Sequence, residues 1–285
     1  MPTLEDNRRY WGSVYDWPEH GDEWSAPWGD AATHWHATIL PRVWPFLPAH
    51  TVLEIAPGFG RWTGYLIDAS ERYVGIDLAE SCIAICKERF QRARNANFFL
   101  NDGRSLEAVE DDSIDFAFTF DSLVHAEADV IEDYLKELRR TLSPHGIAFI
   151  HHSNAGEYAP ALRRSDRIRH AARFLPLGTR ALQRVGMIGW DQSRAHSMTA
   201  GKLVDFCEAA DLICVGQEII NWGPRQRRLV DCLSLVTRPN SRWQRSNIIV
   251  RNPHFWSEAQ SARALARVFT SLAQDVGEVE AALER

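Results

Sequence analysis

The chain has 285 residues, 45% of them hydrophobic and 25% charged, which suits one large α/β domain with additions and a sizeable core. A formal net charge of −6 argues against a broad nucleic-acid-binding face, and no run reaches the ~18 apolar residues of a membrane span. Residues 1–9 lack an apolar signal core, so a cytoplasmic protein is expected, with its five cysteines read as buried, reduced thiols.

Residues 1–46 hold six of the eleven tryptophans and read as an N-terminal cap. Residues 47–238 alternate short apolar runs with helical patterns, which predicts a mostly parallel sheet covered on both faces. The first strand is Thr51–Ala56, ending in Pro57-Gly58-Phe59-Gly60, and the second is Tyr73–Asp77. A helix follows, with Ala79, Cys82, Ile83, Cys86 and Phe90 on one face of a 3.6-residue period. Asn97–Leu100 and Ile114–Phe120 are the third and fourth strands. The stripe Ile131, Tyr134, Leu135, Leu138 and Leu142 predicts a helix stopped by Pro144-His145-Gly146, and Ile147–Ile150 is the fifth strand. Residues 155–199 interrupt the plan and read as a lid, with Arg163, Arg164, Arg167, Arg169, Arg173, Arg180, Arg184 and Arg194 against only three acids. A helix around Leu203–Ala210 precedes two last strands, Leu212–Ile220 and Leu229–Thr237, whose short connection makes the final pair antiparallel. In residues 239–285, Leu265, Val268, Phe269, Leu272, Val276, Val279 and Leu283 form a helical stripe that docks on its own domain or on a second copy.

In open parallel sheets, ligands bind beyond the carboxyl ends of the strands, where strand order reverses. Glu54-Ile-Ala-Pro-Gly58-Phe-Gly60 lies at such an end, and its glycines allow a tight turn and close approach to a ligand. Ala56 and Pro57 stand where a dinucleotide fingerprint has its first glycine, which favours a carboxylate-bearing sulfonium nucleoside over a diphosphate. Asp77 closes the second strand, where it can accept from ribose hydroxyls, and Asp102 and Gly103 close the third, near an adenine amine. One acidic strand end is ordinarily a solvated turn; three behind a glycine turn form a site.

The ordered set Val52–Gly60, Gly75-Ile-Asp77, Asn101-Asp-Gly103 and Asp115–Asp121 resembles the class I S-adenosylmethionine-dependent methyltransferases over roughly residues 50–238. The resemblance implies a Rossmann-like α/β fold with a mostly parallel seven-stranded sheet and an antiparallel last strand. It implies Glu54, Ala56, Gly58 and Gly60 around the methionine part, Asp77 on ribose, Asp102 and Gly103 near adenine, and Phe120 with Asp121 at the methyl-transfer site. Tyr10-Trp11-Gly-Ser-Val-Tyr15 is similar to the aromatic cap that many members fold over the cofactor, though Ala56 departs from the usual glycine.

Methyl transfer needs an aligned acceptor atom and usually a base for its proton. His125 follows Asp121 by one helical turn, and His151 or His152 lies past the fifth strand, strand alternation placing one of them in the site; His152 is the preferred one. Asp121 is also the best-placed carboxylate for a Mg²⁺ ion, although no dedicated carboxylate cluster is visible. Trp28 and Trp222, with His151, Asn154 and Asn221, could line an acceptor site of stacking faces and hydrogen-bonding groups. The phrases Asp121–Asp129, Phe149–Asn154 and Asn221-Trp222-Gly223 are similar to bacterial methyltransferases of polysaccharide synthesis, especially the sugar 1-O-methyltransferases of mycobacterial methylmannose polysaccharide. That similarity implies a small-molecule or oligosaccharide acceptor with a mannoside-type hydroxyl. An amine, phenol or ring-carbon acceptor, and a cofactor-binding regulator without turnover, are the competing readings.

Overall fold

The computed structural model describes residues 3–160, 194–223 and 228–268. Eight strands form one sheet: β1 (Ala49–Ile55), β2 (Ser70–Asp77), β3 (Ala96–Leu100), β4 (Ile114–Thr119), β5 (Leu142–Ser153), β6 (Ile213–Ile220), β7 (Asp231–Thr237) and β8 (Ile248–Asn252). Their order is β3-β2-β1-β4-β5-β7-β6-β8, and β7 runs antiparallel to both of its neighbours. The antiparallel seventh strand agrees with the sequence reading. The eighth does not: β8 pairs parallel with β6 and lies in residues read as a helical extension.

The apolar runs of β1, β4 and β5 form strands buried on both faces, because helices cover each side. On one side pack α4 (Thr63–Asp68) with α2 (Ala31–His34) and α3 (Leu40–Val43) of the cap, whereas α1 (Leu4–Arg9) reaches the other core through Leu4. On the other pack α6 (Ala128–Thr141) and α7 (Ala200–Ala209), while α5 (Glu80–Arg89) follows β2. Period-2 alternation divides the strand residues between two cores. Phe116, Phe118, Phe120, Ile147 and Phe149 join the cap-side core with Trp28, Trp35 and Trp62. Ala117, Ala148 and Ile150 join Ile131, Leu135 and Leu138 of α6 on the far side. Each such large side chain contributes roughly 1.5–3 kcal/mol on burial.

The cap is tied to the opposite half of the sheet. Arg42 of α3 forks onto Glu218 of β6 at 2.6 and 2.7 Å and reaches Glu258 at 3.2 Å. Glu258 belongs to a final helix, α8 (255–268), whose Phe255 and Ala259 are buried while Leu265 and Val268 are exposed. The rest of the apolar stripe predicted for that helix lies outside the described residues. So does most of the expected lid, with seven of its eight arginines. All five cysteines are free and buried, and no helix among the described residues is long and apolar enough to cross a membrane.

Candidate active site

Strand order reverses between β1 and β4, and the sequence-predicted carboxylates gather at the strand ends around that point. Asp77 is buried, and its two oxygens accept the backbone N–H groups of Gly58 (3.0 Å) and Ala79 (2.9 Å). Burial pushes its carboxyl up to about 6 against those two bonds, which favour the charged form. Glu54, also buried, accepts from Thr63 Oγ1 at 2.7 Å and Tyr73 OH at 2.5 Å, and burial pushes it up to about 7. Asp102 is exposed and folds back on Arg104 N and Ser105 N at 2.8 and 2.7 Å; burial is the largest single effect on its carboxyl and raises it, but these bonds together outweigh burial and hold it below the usual carboxylate range.

The loop after β1 is tight. Gly58 has a φ of +58°, and a Cβ there would meet the Trp17 ring at 2.8 Å, so only glycine admits this packing. Gly60 also takes a positive φ. Ala56 takes a φ of +58°, the left-handed conformation that the resemblance assigns to glycine. Its carbonyl accepts Ser122 Oγ at 2.9 Å, which links it to a second left-handed residue, Asp121, with a φ of +62°. Two strained residues at adjacent strand ends, tied through the hydrogen bond from Ser122, the neighbour of Asp121, to Ala56, define the floor of the site.

The N-terminal aromatics close over this floor. Trp17 stacks on Phe59 at 4.5 Å, Ser81 Oγ donates to Gly12 O at 2.9 Å, and Leu4 packs against Gly103. Tyr10 is largely exposed and edge-on to Trp11, and Tyr15 donates its hydroxyl to Glu23 at 2.7 Å. Trp11 lies 5.3 Å from the ring of His125, and Asn7 donates to the His125 carbonyl at 3.1 Å. His125 is half-buried at the end of a short turn, Leu123–His125.

Behind Asp121 lies an aromatic chamber centred on Phe120. His151 is 4.6 Å from it, Trp222 6.1 Å, Trp62 5.9 Å and His34 5.4 Å between ring centroids. Trp28 stacks on His34 at 3.4 Å and approaches Trp222 at 5.8 Å. Two buried ion pairs run through the chamber wall. Arg61 donates to Asp121 at 3.1 Å; Arg194 donates to Asp231 at 2.8 Å and stands 3.6 Å from Asp121. Burial works against the charge of Asp231, but Arg194 and His151 hold its carboxyl down to about 2.

The two adjacent histidines of β5 separate by strand parity. His151 follows Ile147 and Phe149 into the chamber, accepts Asp121 N–H at Nδ1 (3.0 Å), and presents Nε2 3.4 Å from Asp231. His152 faces the far side, where Nδ1–H donates to Ser153 O and Nε2 accepts from Ser234 Oγ, both at 2.9 Å. Burial lowers His152 to about 4. The sequence preference for His152 as the site-facing residue is therefore corrected to His151. Asn154 is spent on structure as well, bonding Leu229 O at 2.8 Å and Ala200 N at 2.7 Å, and Asn221 accepts Trp256 N at 3.3 Å.

Asp121 is poorly suited to Mg²⁺, because arginines occupy both of its sides, and no trio of His, Cys, Asp or Glu fit for a metal occurs among the described residues. Sequence reasoning passes over Arg61, His34 and Asp231. Arg61 directly follows the glycine turn, and Asp231 is an acid inside an apolar strand, which are the only signals either one gives.

Residues 52–146 match the family profile described as a methyltransferase domain. A curated relative, phosphoethanolamine N-methyltransferase 1 of Triticum aestivum, is 30% identical over 118 residues, 40% of this chain. The match spans only 24% of the length of that relative. Among solved structures, a SAM-dependent methyltransferase from Methanosarcina mazei shares 16% identity, covering 70% of this chain and 97% of its own at a TM-score of 0.51. PKMT2 from Rickettsia typhi, solved in complex with AdoHcy, shares 13% identity over 68% of this chain and 51% of its own, also at 0.51. At these identities the two structures speak to the fold, and the profile speaks to the domain. Residues 52–146 carry a methyltransferase domain, set in a fold that S-adenosylmethionine-dependent methyltransferases share.

Proposed function

We propose that the protein methylates a sugar hydroxyl of a bacterial poly- or oligosaccharide, of mannoside type, with His125 as general base. The observation that carries this reading is the place of His125, half-buried on the turn that follows Asp121, with its ring 5.3 Å from Trp11 of the cap. Asp121 N–H occupies Nδ1 of His151, which leaves the ring proton on Nε2 toward Asp231, and both nitrogens of His152 are bonded on the far face. His125 stands at the strand end nearest the cap, where the acceptor's proton must leave. Asp77 suits the ribose hydroxyls, and Glu54, in a site walled from water, suits the neighbourhood of the cofactor's ammonium. When bound, S-adenosylmethionine supplies a methyl group on a positively charged sulfur.

The chain contributes position. Trp222, which packs on Phe120 and Trp28 and keeps a small exposed surface, is the ring that would meet the C–H face of a pyranose. Arg61 and Arg194 neutralise Asp121 and Asp231, so the chamber has no surplus negative charge to attract an ammonium group. His125 accepts the hydroxyl proton as the oxygen becomes an ether, a contribution of roughly 10²–10⁴ in rate. Mg²⁺ has no fitting ligand set at Asp121, so the reading assigns it no role.

The wheat relative favours a second reading, an amine acceptor, since its name specifies N-methylation of phosphoethanolamine. An amine can react unprotonated and needs no base at His125. The test is product formation from labelled S-adenosylmethionine with methyl α-mannoside, manno-oligosaccharides and phosphoethanolamine. Methylation of the sugars, lost in His125→Ala, supports the proposal; methylation of phosphoethanolamine alone, insensitive to His125→Ala, overturns it. Self-association through the exposed Leu265 and Val268 face of α8 completes the reading, and sedimentation of Leu265→Glu against wild type tests it.

A further inference from the structure

Four buried polar atoms around Phe120 have no hydrogen-bond partner among the described residues: His151 Nε2, which still faces Asp231 at 3.4 Å, and a cluster of three, His34 Nε2, Trp62 Nε1 and one terminal nitrogen, Nη1, of Arg61. The three are not scattered. His34 and Trp62 stand edge-on to Phe120 at 5.4 and 5.9 Å, His34 stands edge-on to Trp62 at 4.9 Å, and the Arg61 guanidinium lies 4.6 Å from the Trp62 ring. Leaving a buried polar group unbonded costs ~1–3 kcal/mol, and a cluster of three is expensive unless a ligand relieves it.

Chemistry narrows the ligand. Indole and guanidinium nitrogens only donate, so their partner must be a hydrogen-bond acceptor, which excludes an ammonium group or a hydrocarbon. The charge of Arg61 is already met by Asp121 at 3.1 Å, so the open donors call for oxygen without calling for net negative charge. His34 is fixed by its stack on Trp28 and by Ser25 Oγ at 3.1 Å from Nδ1, and burial, followed by the nearby Arg61, keeps it neutral. We infer that Arg61, Trp62 and His34 form a subsite for the neutral oxygens of a polyol, holding a part of the acceptor other than the oxygen that is methylated. This rests on the sugar-acceptor reading above and extends it to three residues that no motif marks.

Carboxylate oxygens of the cofactor's amino-acid part offer the same chemistry, and the experiment separates the two sources. The indole N–H signal of Trp62, assigned in ¹⁵N spectra by its loss in Trp62→Phe, is followed while S-adenosylhomocysteine and then methyl α-mannoside are added. The expected result is a saturable shift on mannoside addition, with mannoside affinity about tenfold weaker in Trp62→Phe and in Arg61→Lys. Affinity for S-adenosylhomocysteine should be unchanged, which also shows that the variants fold. A tenfold loss of S-adenosylhomocysteine affinity in both variants assigns the donors to the cofactor and overturns the subsite. Absence of any mannoside shift overturns it too, even where wild-type protein methylates sugars. A mannoside shift without methyl transfer keeps the subsite and removes the hydroxyl-methylation reading.

Discussion

His151 accepts the backbone N–H of Asp121 at its Nδ1, 3.0 Å away, and so fixes a residue held at a φ of +62°. A side chain of β5 thereby props up the strained end of β4, and the same ring hands its other nitrogen to Asp231 and, through it, to Arg194. The consequence is that His151 acts as a positioning residue. His151→Ala should leave the Asp121 N–H unbonded and cost ~1–3 kcal/mol, a fall in Tm of several degrees. His151→Asn, whose amide oxygen can stand in for Nδ1, should recover part of it. Equal Tm values for Ala and Asn variants would show that the bond has no structural weight.

His125→Ala and His152→Ala should part company. The first should lower turnover ~10²–10⁴-fold with S-adenosylhomocysteine affinity nearly intact. The second should chiefly lower Tm, because it removes the buried donor to Ser153 O and the imidazole acceptor of the Ser234 hydroxyl, which keeps only Gln217 and Cys232. Calorimetry and initial rates on the two variants check the split; a His152→Ala protein of full stability and no activity would reverse the assignment.

Glu54 gives a pH test with a definite sign. Its folded value is raised to about 7 from an ordinary 4.5, so the folded state retains a proton that the unfolded chain releases. The stability tied to that proton is fully present below pH 4.5 and is lost as pH rises through about 7. Glu54→Gln keeps an oxygen for Tyr73 and Thr63 but cannot ionise. Its Tm should therefore gain on wild type as pH rises from 5 to 8, by about 1.4 kcal/mol in stability for each pH unit over which only the folded carboxyl holds its proton. Parallel Tm curves across that range would place Glu54 outside this linkage.

Ala56→Gly should stabilise the fold modestly. A left-handed alanine costs ~1–2 kcal/mol, and glycine loses ~0.5–1 kcal/mol in chain entropy, so the net is up to about 1.5 kcal/mol and a few degrees of Tm. A lower Tm in differential scanning calorimetry would mean that the methyl group packs better than its backbone suffers.

Much of the fold and the cofactor end of the site is legible in the sequence, for physical reasons. Buried parallel strands are continuous apolar runs, and the polar residues that end them are conspicuous, which is why Asp77, Gly58 and Asp121 group together from the sequence alone. The adjacent histidines show where such reading stops: alternation dictates that they face opposite sides, but only contact with Phe120 on one face and Ser234 on the other says which is which. β8 escapes because four of its five residues are exposed, so both faces meet solvent and no alternating pattern appears. Arg61, Arg194 and Asp231 gain meaning only as partners, and partners 37 to 60 residues apart leave no mark on local spacing.

The Arg42 fork onto Glu218 divides the first 46 residues into a frame and a door. From Trp28 to Val43 the segment is built in, with Trp28 Nε1 bonded to Thr38 at 2.7 Å and Arg42 clamped to β6. Before it, the segment from Thr3 to Trp24 meets the body through the Trp17 stack on Phe59, other ring contacts and a few single hydrogen bonds, and Gly21 and Gly29 take φ values of +94° and +106° at the join. If a nucleoside binds at the strand ends as proposed, its exchange should need only these roughly twenty residues to swing, because Trp28 and His34 are held in the frame. The proposed acceptor wall would then stand whether the door is open or shut.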